Sequence, residues 1–550
     1  MSAAAASSPL WAKAPASALP RPKVNKWLVT VSVTFGTLMG AIDASIVNVA
    51  IPHIRGAVGA TVEEITWIST AFALATVLVM PLTAFLGRLF GQKRVYLACL
   101  ILFVIGSALC GMARTLPSLV VFRMVQGFGA GALQPTEQAI LRQTFPPKEQ
   151  GMAMALFGMA VMIGPAVGPT LGGYIVDHWS WPWIFYINLP VGALAVFMVT
   201  NFVHEPDDIR QANRDAAAKQ RKNMDWMGIA MLSVGLCTLQ YALEEGQKDD
   251  WFDSRFITGC FIVSAFALAL FVVRELTAPM PAVDLRLFKD RTFSSGTFIG
   301  GVMFAMLMSL TFLLPVFMQE VLGFNATQSG LALMPRTLIM MVVVPFVGKI
   351  YNKVAPGLVV AVGIVLFAIS AYQMSHYTLD TGSSGIVAAL LIQGAGFACI
   401  WVPLTTVALS SIPRHKMSDA TGSNSLVRQI GGSIGLAIFA TLLSRSQTTA
   451  RTGLIAHLNA GNPMLLGRVA SSERTLIGRG GLDVASARNS AHAMLEFVVD
   501  RQASVLSFEK MFLLAGLLFL LVLPLLLFLR SPKEEKTAAK GEKIDVHVEL

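Results

Sequence analysis

Two residues of opposite charge stand inside stretches that are otherwise apolar. Asp43 sits in AIDASIVNVAIPHI at 41–54, and Arg123 sits in LVVFRMVQGFGAGA at 119–132. Charge inside a membrane span is costly, so it faces a cavity or a partner and marks function by default. Counting about 1.5 Å of rise per residue places both at similar depth, in the outer half of the membrane. A carboxylate and a guanidinium at one depth invite an ion pair, because each is expensive when buried alone. Protonating Asp43 would break the pair, and such a charge change can bias two conformations. A static pair that only fixes helix packing is the alternative.

The Arg123 run carries more polar chemistry. Arg123, Gln126, Gln134, Glu137 and Gln138 share one helical face, with Gly127 and Gly131 beside them. A polar stripe of that length needs water or substrate beside it. Glu137 lies about 20 Å below Arg123 by rise per residue, where it either admits protons or substrate or reaches interfacial water. A second stripe, Thr421, Asn424, Ser425 and Arg428, precedes Gly431, Gly432 and Gly435 and points Arg428 into the same cavity. Arg336 in MPRTL is shallower, facing either the cavity or the interface. Phe304 and Met308, in a run rich in Met and Phe, suit an adaptable apolar pocket. GPAVGPTLGG at 164–173 spaces Gly164, Gly168 and Gly172 by four residues, a smooth face for helix contact. Pro165 and Pro169 add a bend, expected at a moving interface.

Positioning these residues requires membrane helices. Apolar residues make up 54% of the 550-residue chain and charged residues 13%, a membrane composition. Fourteen runs are long and apolar enough to span: 27–51, 66–89, 94–113, 118–141, 152–176, 182–203, 224–243, 256–276, 293–319, 329–351, 357–375, 385–411, 418–445 and 509–530. They lack period-two alternation, so an all-α membrane protein is expected. Lys and Arg collect on alternate connections (Lys26, Arg88, Lys93, Arg94, Arg142, Arg286, Lys289, Arg291, Lys349, Arg414, Lys416), which sets both termini in the cytoplasm. The tails 1–26 and 531–550 are expected to be disordered, and the first apolar run is expected to be a span and no cleaved signal. The long external connection at 447–508 is expected to be a solvated loop, or a surface-lying helix in its last third, where Leu495, Val498 and Val499 have helical spacing.

Other chemistries find no support. The net charge of +10 is spread between apolar runs, which argues against a nucleic-acid module. The five cysteines lie in apolar runs with no CxxC, so neither a disulfide framework nor a metal site is expected. No phosphate-binding GxxxxGK[ST], HExxH or GxSxG occurs. An ion gradient is then the natural energy source, with no cofactor and no enzymatic activity.

These motifs, together with WSWPWIFYINLPVG at 179–192, GQKDDWFDS at 246–254, PLTTVALSSIP at 403–413 and VRQIGGSIG at 427–435, resemble the fourteen-span drug:proton antiporter branch of the major facilitator superfamily. The resemblance is to the EmrB/QacA type, nearer its EmrB side, and runs from about 27 to 530. One motif departs. Where the family's turn after the second helix reads like GxLxDRxGRKR, this chain has PLTAFLGRLFGQKR, with Ala84 at the first Gly, Arg88 at the Asp and Leu89 at the Arg. The charge relay associated with the inward gate is therefore expected to be incomplete.

The resemblance implies a major facilitator fold: a six-helix bundle at 27–203, a loop at 204–223, two inserted helices at 224–276, a loop at 277–292, and a second six-helix bundle at 293–530. It implies proton-coupled export of small lipophilic compounds from a bacterial inner membrane. Arg123 falls on the motif arginine implicated in proton coupling, and with Asp43 and Glu137, read above, it makes up the expected proton-coupling set. Asn48, Gln126, Gln134, Phe304, Met308, Asn424 and Arg428 would line the cavity. A periplasmic adaptor and an outer-membrane channel are the partners it implies. A dedicated exporter of one metabolite or lipid is the alternative transporter reading. A membrane enzyme or sensor on the same fold is the alternative from another class.

Overall fold

In a computed structural model of the chain, the residues described are 25–146, 149–205, 210–211, 217, 225–278, 281–350, 354–458, 463–480 and 482–528. Nearly all of the expected tails, and most of the loop at 204–223, lie outside them. Fourteen helices are long and apolar enough to cross a membrane, and no strand occurs among the described residues. Lipid leaves the backbone no other hydrogen-bond partner, so each apolar run closes on itself as a helix.

The first bundle comprises α1 (Lys26–Val58), α2 (Trp67–Phe90), α3 (Gln92–Met112), α4 (Leu116–Thr144), α5 (Gln150–His178) and α6 (Asn188–Phe202). The inserted pair is α7 (Trp226–Glu245) and α8 (Arg255–Thr277). The second bundle comprises α9 (Arg291–Val316), α10 (Ala326–Ile350), α11 (Pro356–Met374), α12 (Ser383–Ala408), α13 (Met417–Ala456) and α14 (Val484–Leu521). We call the end where α1 begins the basal end and its opposite the distal end. Side-chain caps start several helices: Asn25 Oδ1 accepts from Trp27 N at 3.0 Å, Asp225 Oδ1 from Gly228 N at 3.0 Å, and Asp290 Oδ1 from Phe293 N at 2.9 Å. Gly91 alone joins α2 to α3, at φ 88°, a backbone state that favours glycine.

The bundles meet along two seams, α2 on α13 and α5 on α10, and the α7–α8 hairpin rests on α2 and α13. The connection at 447–508 is largely helical. α13 continues to Ala456, a helix covers Pro463–Gly480, and α14 starts at Val484. Arg451 pairs with Glu496 at 2.7 Å and Asp500 at 2.6 Å, and Arg501 Nε donates to Val321 O at 3.0 Å. The helical spacing expected near Leu495 and Val499 thus belongs to the extended α14.

The glycine stripe of α5 packs on α1 of its own bundle, not across the bundle interface. A Cβ on Gly164 would overlap the backbone of Ala41, one on Gly168 would come within 2.7 Å of Ser45, and one on Gly172 within 2.7 Å of Ile46. The opposite face of α5 meets the second bundle: a Cβ on Gly330 of α10 would reach Thr170 N at 3.0 Å and Pro169 at 3.3 Å. The side chain of Pro165 lies outside the described residues. The bend motif is therefore split between a tight seam within the bundle and a contact across the bundles, because glycine spacing of four selects one face and Pro169 falls on the other. Gly164→Ala forces a side chain against backbone and is expected to cost about 1–3 kcal/mol, the usual penalty of overpacking. Thermal unfolding of the detergent-solubilised protein would read this as a lowered midpoint, and an unchanged midpoint would refute the seam.

Candidate functional site

The glycine seam holds α5 against the turn of α1 that carries Asp43, which α4 meets from the other side. Arg123 Nη1 donates to Asp43 Oδ2 at 2.6 Å. Both side chains are buried, Asp43 at 0% exposure and Arg123 at 1%. The other carboxylate oxygen, Oδ1, accepts from Gln126 Nε2 at 2.8 Å and from Asn188 Nδ2 at 3.1 Å. Gln126 Oε1 in turn accepts from Arg123 Nη1 at 2.7 Å, and Ile68 O accepts from Arg123 Nε at 3.3 Å. The guanidinium also lies over Phe72, 4.1 Å from its ring centre. The pair is thus saturated, as a buried charge pair must be to offset its desolvation.

A cavity of about 260 Å³ opens beside it. Asn48, Ser69 and Glu244 line its distal part, Arg123 and Phe72 its wall, and Leu133, Gln134 and Met80 its floor. Glu244 comes from the inserted helix α7, which bridges the bundles: Gln240 Nε2 donates to Ser433 Oγ of α13 at 3.0 Å, and Thr70 Oγ1 of α2 donates to Glu245 Oε1 at 3.1 Å. The inserted pair closes the side of the cavity.

Several expected site residues stand elsewhere. Gln126 does not line the cavity. It is buried behind Arg123 and holds Asp43, because a helical face is wide enough to split between cavity and neighbour. Glu137 does not reach interfacial water. It is fully buried, and its Oε1 accepts from Thr34 Oγ1 of α1 at 2.9 Å while Oε2 has no partner. Depth along a helix says nothing about which neighbour covers it. Phe304, Asn424 and Arg428 line a narrow pocket inside the second bundle, and Met308 lines the next one, with Arg336. Arg336 is 9% exposed and does not snorkel.

The basal end is closed by direct links between bundles. Arg88 pairs with Asp419 of α13 and donates to Pro281 O and Ala282 O, both at 3.2 Å. Gln92 donates to Ser418, Arg142 to the carbonyl of Thr406, and Arg414 to that of Gln143, whose Nε2 donates back to Arg414 O at 3.2 Å. The gate is therefore not left without a charge link by the altered motif. Arg88 stands where an acid is usual, and Asp419 supplies the acid from the other bundle. The sequence reading missed Asp419, Asn188, Thr34 and Glu244. Only Asn188, a polar residue opening the sixth span, carries a local signal. No group of three His, Cys, Asp or Glu that could hold a metal ion occurs among the described residues.

Two helical bundles, a cavity between them, a closed basal end and a buried acid–base pair whose arginine lines the cavity define a multi-pass membrane transporter. The model of the Major Facilitator Superfamily matches residues 33–436. The chain belongs to that superfamily. It is 32% identical over 507 residues to the multidrug export protein EmrB of Escherichia coli K12, covering 92% of this chain and 95% of that protein. It is 31% identical over 504 residues to the fatty acid resistance protein FarB of Neisseria gonorrhoeae, covering 92% and 96%. Among solved structures, the proton:xylose symporter XylE shares the fold at a TM-score of 0.57 and 13% identity, covering 91% of this chain and 96% of that one.

Proposed function

We propose that this protein is a proton-driven exporter of small lipophilic compounds in a bacterial inner membrane. The observation that carries the reading is the saturated Asp43–Arg123 pair, whose arginine lines the inter-bundle cavity. The basal end is the cytoplasmic one: Arg88, Lys93, Arg94, Arg142, Lys349, Arg414 and Lys416 stand at the basal ends of their spans. On that orientation the cavity faces outward.

Protons enter by the cavity and reach Asp43. Neutralised, Asp43 no longer compensates Arg123, and the α1–α4 contact weakens. α5 touches α1 on one face and α10 on the other, so a shift at Asp43 is passed to the bundle seam by packed backbone. The bundles then rock, substrate having left to the outside, and Asp43 releases its proton toward the cytoplasm. Glu137 is the second proton site, buried nearer the basal end and screened from the outward cavity. Glu137→Gln keeps an acceptor for Thr34 and is expected to slow export severalfold without loss of substrate binding. Unchanged export would remove Glu137 from the proton path.

The names of the EmrB relatives support multidrug export, and the helical extension beyond the distal end offers a contact for a periplasmic adaptor leading to an outer-membrane channel. The direct test is drug-dependent proton release in everted vesicles, comparing wild type with Asp43→Asn. Drug-driven proton movement by both proteins alike would overturn the assignment.

A further inference from the structure

The two bundles carry opposite chemistry. In the first, the buried arginine beside the cavity has its acid, Asp43. In the second, two arginines are buried at mid-span with no acid opposite them among the described residues. Arg428 on α13 is 6% exposed, lies over the Trp401 ring at 5.0 Å, and its Nη1 has no hydrogen-bond partner. Arg336 on α10 has only neutral partners, Thr311 and Gln393, both at 3.4 Å, the long limit for a hydrogen bond. The carboxylates described in the second bundle stand away from both: Asp419 at the basal gate, and Glu320, Asp380, Glu473, Asp483, Glu496, Asp500 and Glu509 near or beyond the distal end.

The pockets lined by these arginines adjoin, sharing Leu307 and Phe397. Apart from Asn424, Thr405, Thr311 and Gln393, their remaining walls are apolar, from Phe304, Ile400 and Leu404 on one side to Met308 and Met340 on the other. The unpartnered polar atoms contributed by the lining are donors: Arg428 Nη1, Asn424 Nδ2 and, at the edge against Gly158, Trp401 Nε1. A buried cation with unpartnered donors around it and no acid recognises an anion, and the largely apolar walls require that anion to carry a hydrocarbon or aromatic body. Each pocket is now narrow, about 20 Å³, room for one water. A larger body enters only by displacing the adaptable Met and Phe side chains that fill them.

We infer that Arg428, helped by Asn424 and Arg336, binds the carboxylate of an amphipathic monoanion, whose apolar body occupies the adjoining pockets of the second bundle. The inference rests on the exporter reading and deepens it. The first bundle handles the proton and the second handles the charge of the substrate, so one cycle exchanges an anion for protons.

The test is equilibrium binding to the full-length protein in nanodiscs, with no proton gradient, using a dansylated undecanoic acid and its methyl ester. The acid is expected to bind wild type more tightly than the ester. Arg428→Gln is expected to weaken the acid by roughly tenfold or more, the loss of a charge-assisted hydrogen bond, and to leave the ester unchanged. Arg428→Lys is expected to recover part of the loss, which a merely structural role would not predict. Proton coupling is measured separately, as drug-driven proton release by the wild type, so failure of that reading and failure of this site are distinguished. Equal affinity for acid and ester, no effect of Arg428→Gln on the acid, or full displacement of the acid by chloride would each overturn the proposal.

Discussion

Replacing Asp43 with asparagine is expected to abolish drug-driven proton movement while the protein stays folded and inserted. In the wild type both carboxylate oxygens accept: Oδ2 from Arg123, Oδ1 from Gln126 and Asn188. An asparagine offers one acceptor oxygen and a donor NH₂ in the place of the second, so one of these contacts becomes donor against donor. Arg123 is then a buried cation without an acid, which by analogy with broken buried pairs costs about 3–5 kcal/mol. Folding survives because Arg123 keeps Ile68 O, Gln126 and the Phe72 face, and because the adjoining cavity admits water. The proton-binding atom is gone, however, and the carboxylate that lines the cavity, Glu244, stands in its distal part and makes no contact with Arg123. Dye-monitored proton release in everted vesicles should fall to background, with substrate binding retained. Loss of binding in step with loss of proton movement would point to misfolding instead.

The second large effect is expected at the basal gate. Arg88→Asp sets two acids face to face across the bundles, the introduced carboxylate and that of Asp419, and removes the donors to Pro281 O and Ala282 O. Like charges at a closed interface bias it toward opening. A shift of about 1–3 kcal/mol, the usual size of a conformational coupling, alters the ratio of the two states by roughly 5–150-fold. Export slows because the outward state is no longer held. Asp419→Arg alone should do the same with two cations. The double reversal, Arg88→Asp with Asp419→Arg, restores the pair and should recover most of the rate, though not the two carbonyl contacts. Export rates of all four proteins, with spin-label distances across the basal end, check this. A double variant no better than either single one would show that the pair does not hold the gate.

These two sites differ in how far the sequence discloses them. The Asp43–Arg123 pair is legible because lipid makes any buried charge conspicuous and the fixed rise of a helix gives its depth. The fourteen spans are legible for the same reason, since about 20 apolar residues in a row have few other uses. Arg88 and Asp419 are not legible as a pair. They belong to different bundles, each is an ordinary charge at a helix end, and only the docking of α2 on α13 brings them together. Gln126 and Glu137 show the intermediate case. The stripe on α4 is visible, but whether each member meets water, α1 or a second amide is decided by neighbours that helical periodicity does not encode. Asn188 is missed because a single amide in an apolar run, though a local signal, has no polar partner at helical spacing to mark which neighbour it serves.

The length of α13 has a mechanical consequence. Its 40 residues make a rod of about 60 Å, twice the roughly 30 Å of hydrocarbon it crosses. The surplus is braced to α14 through Arg451, and α14 is anchored through Arg501 to Val321 just past α9, so the extension turns with the second bundle as one body. It is a lever with its fulcrum in the membrane. A tilt of the bundle by about 10° sweeps its far tip sideways by about 5 Å, given some 30 Å of projecting arm. Whatever touches that tip feels the position of the transport cycle without touching substrate, proton or gate.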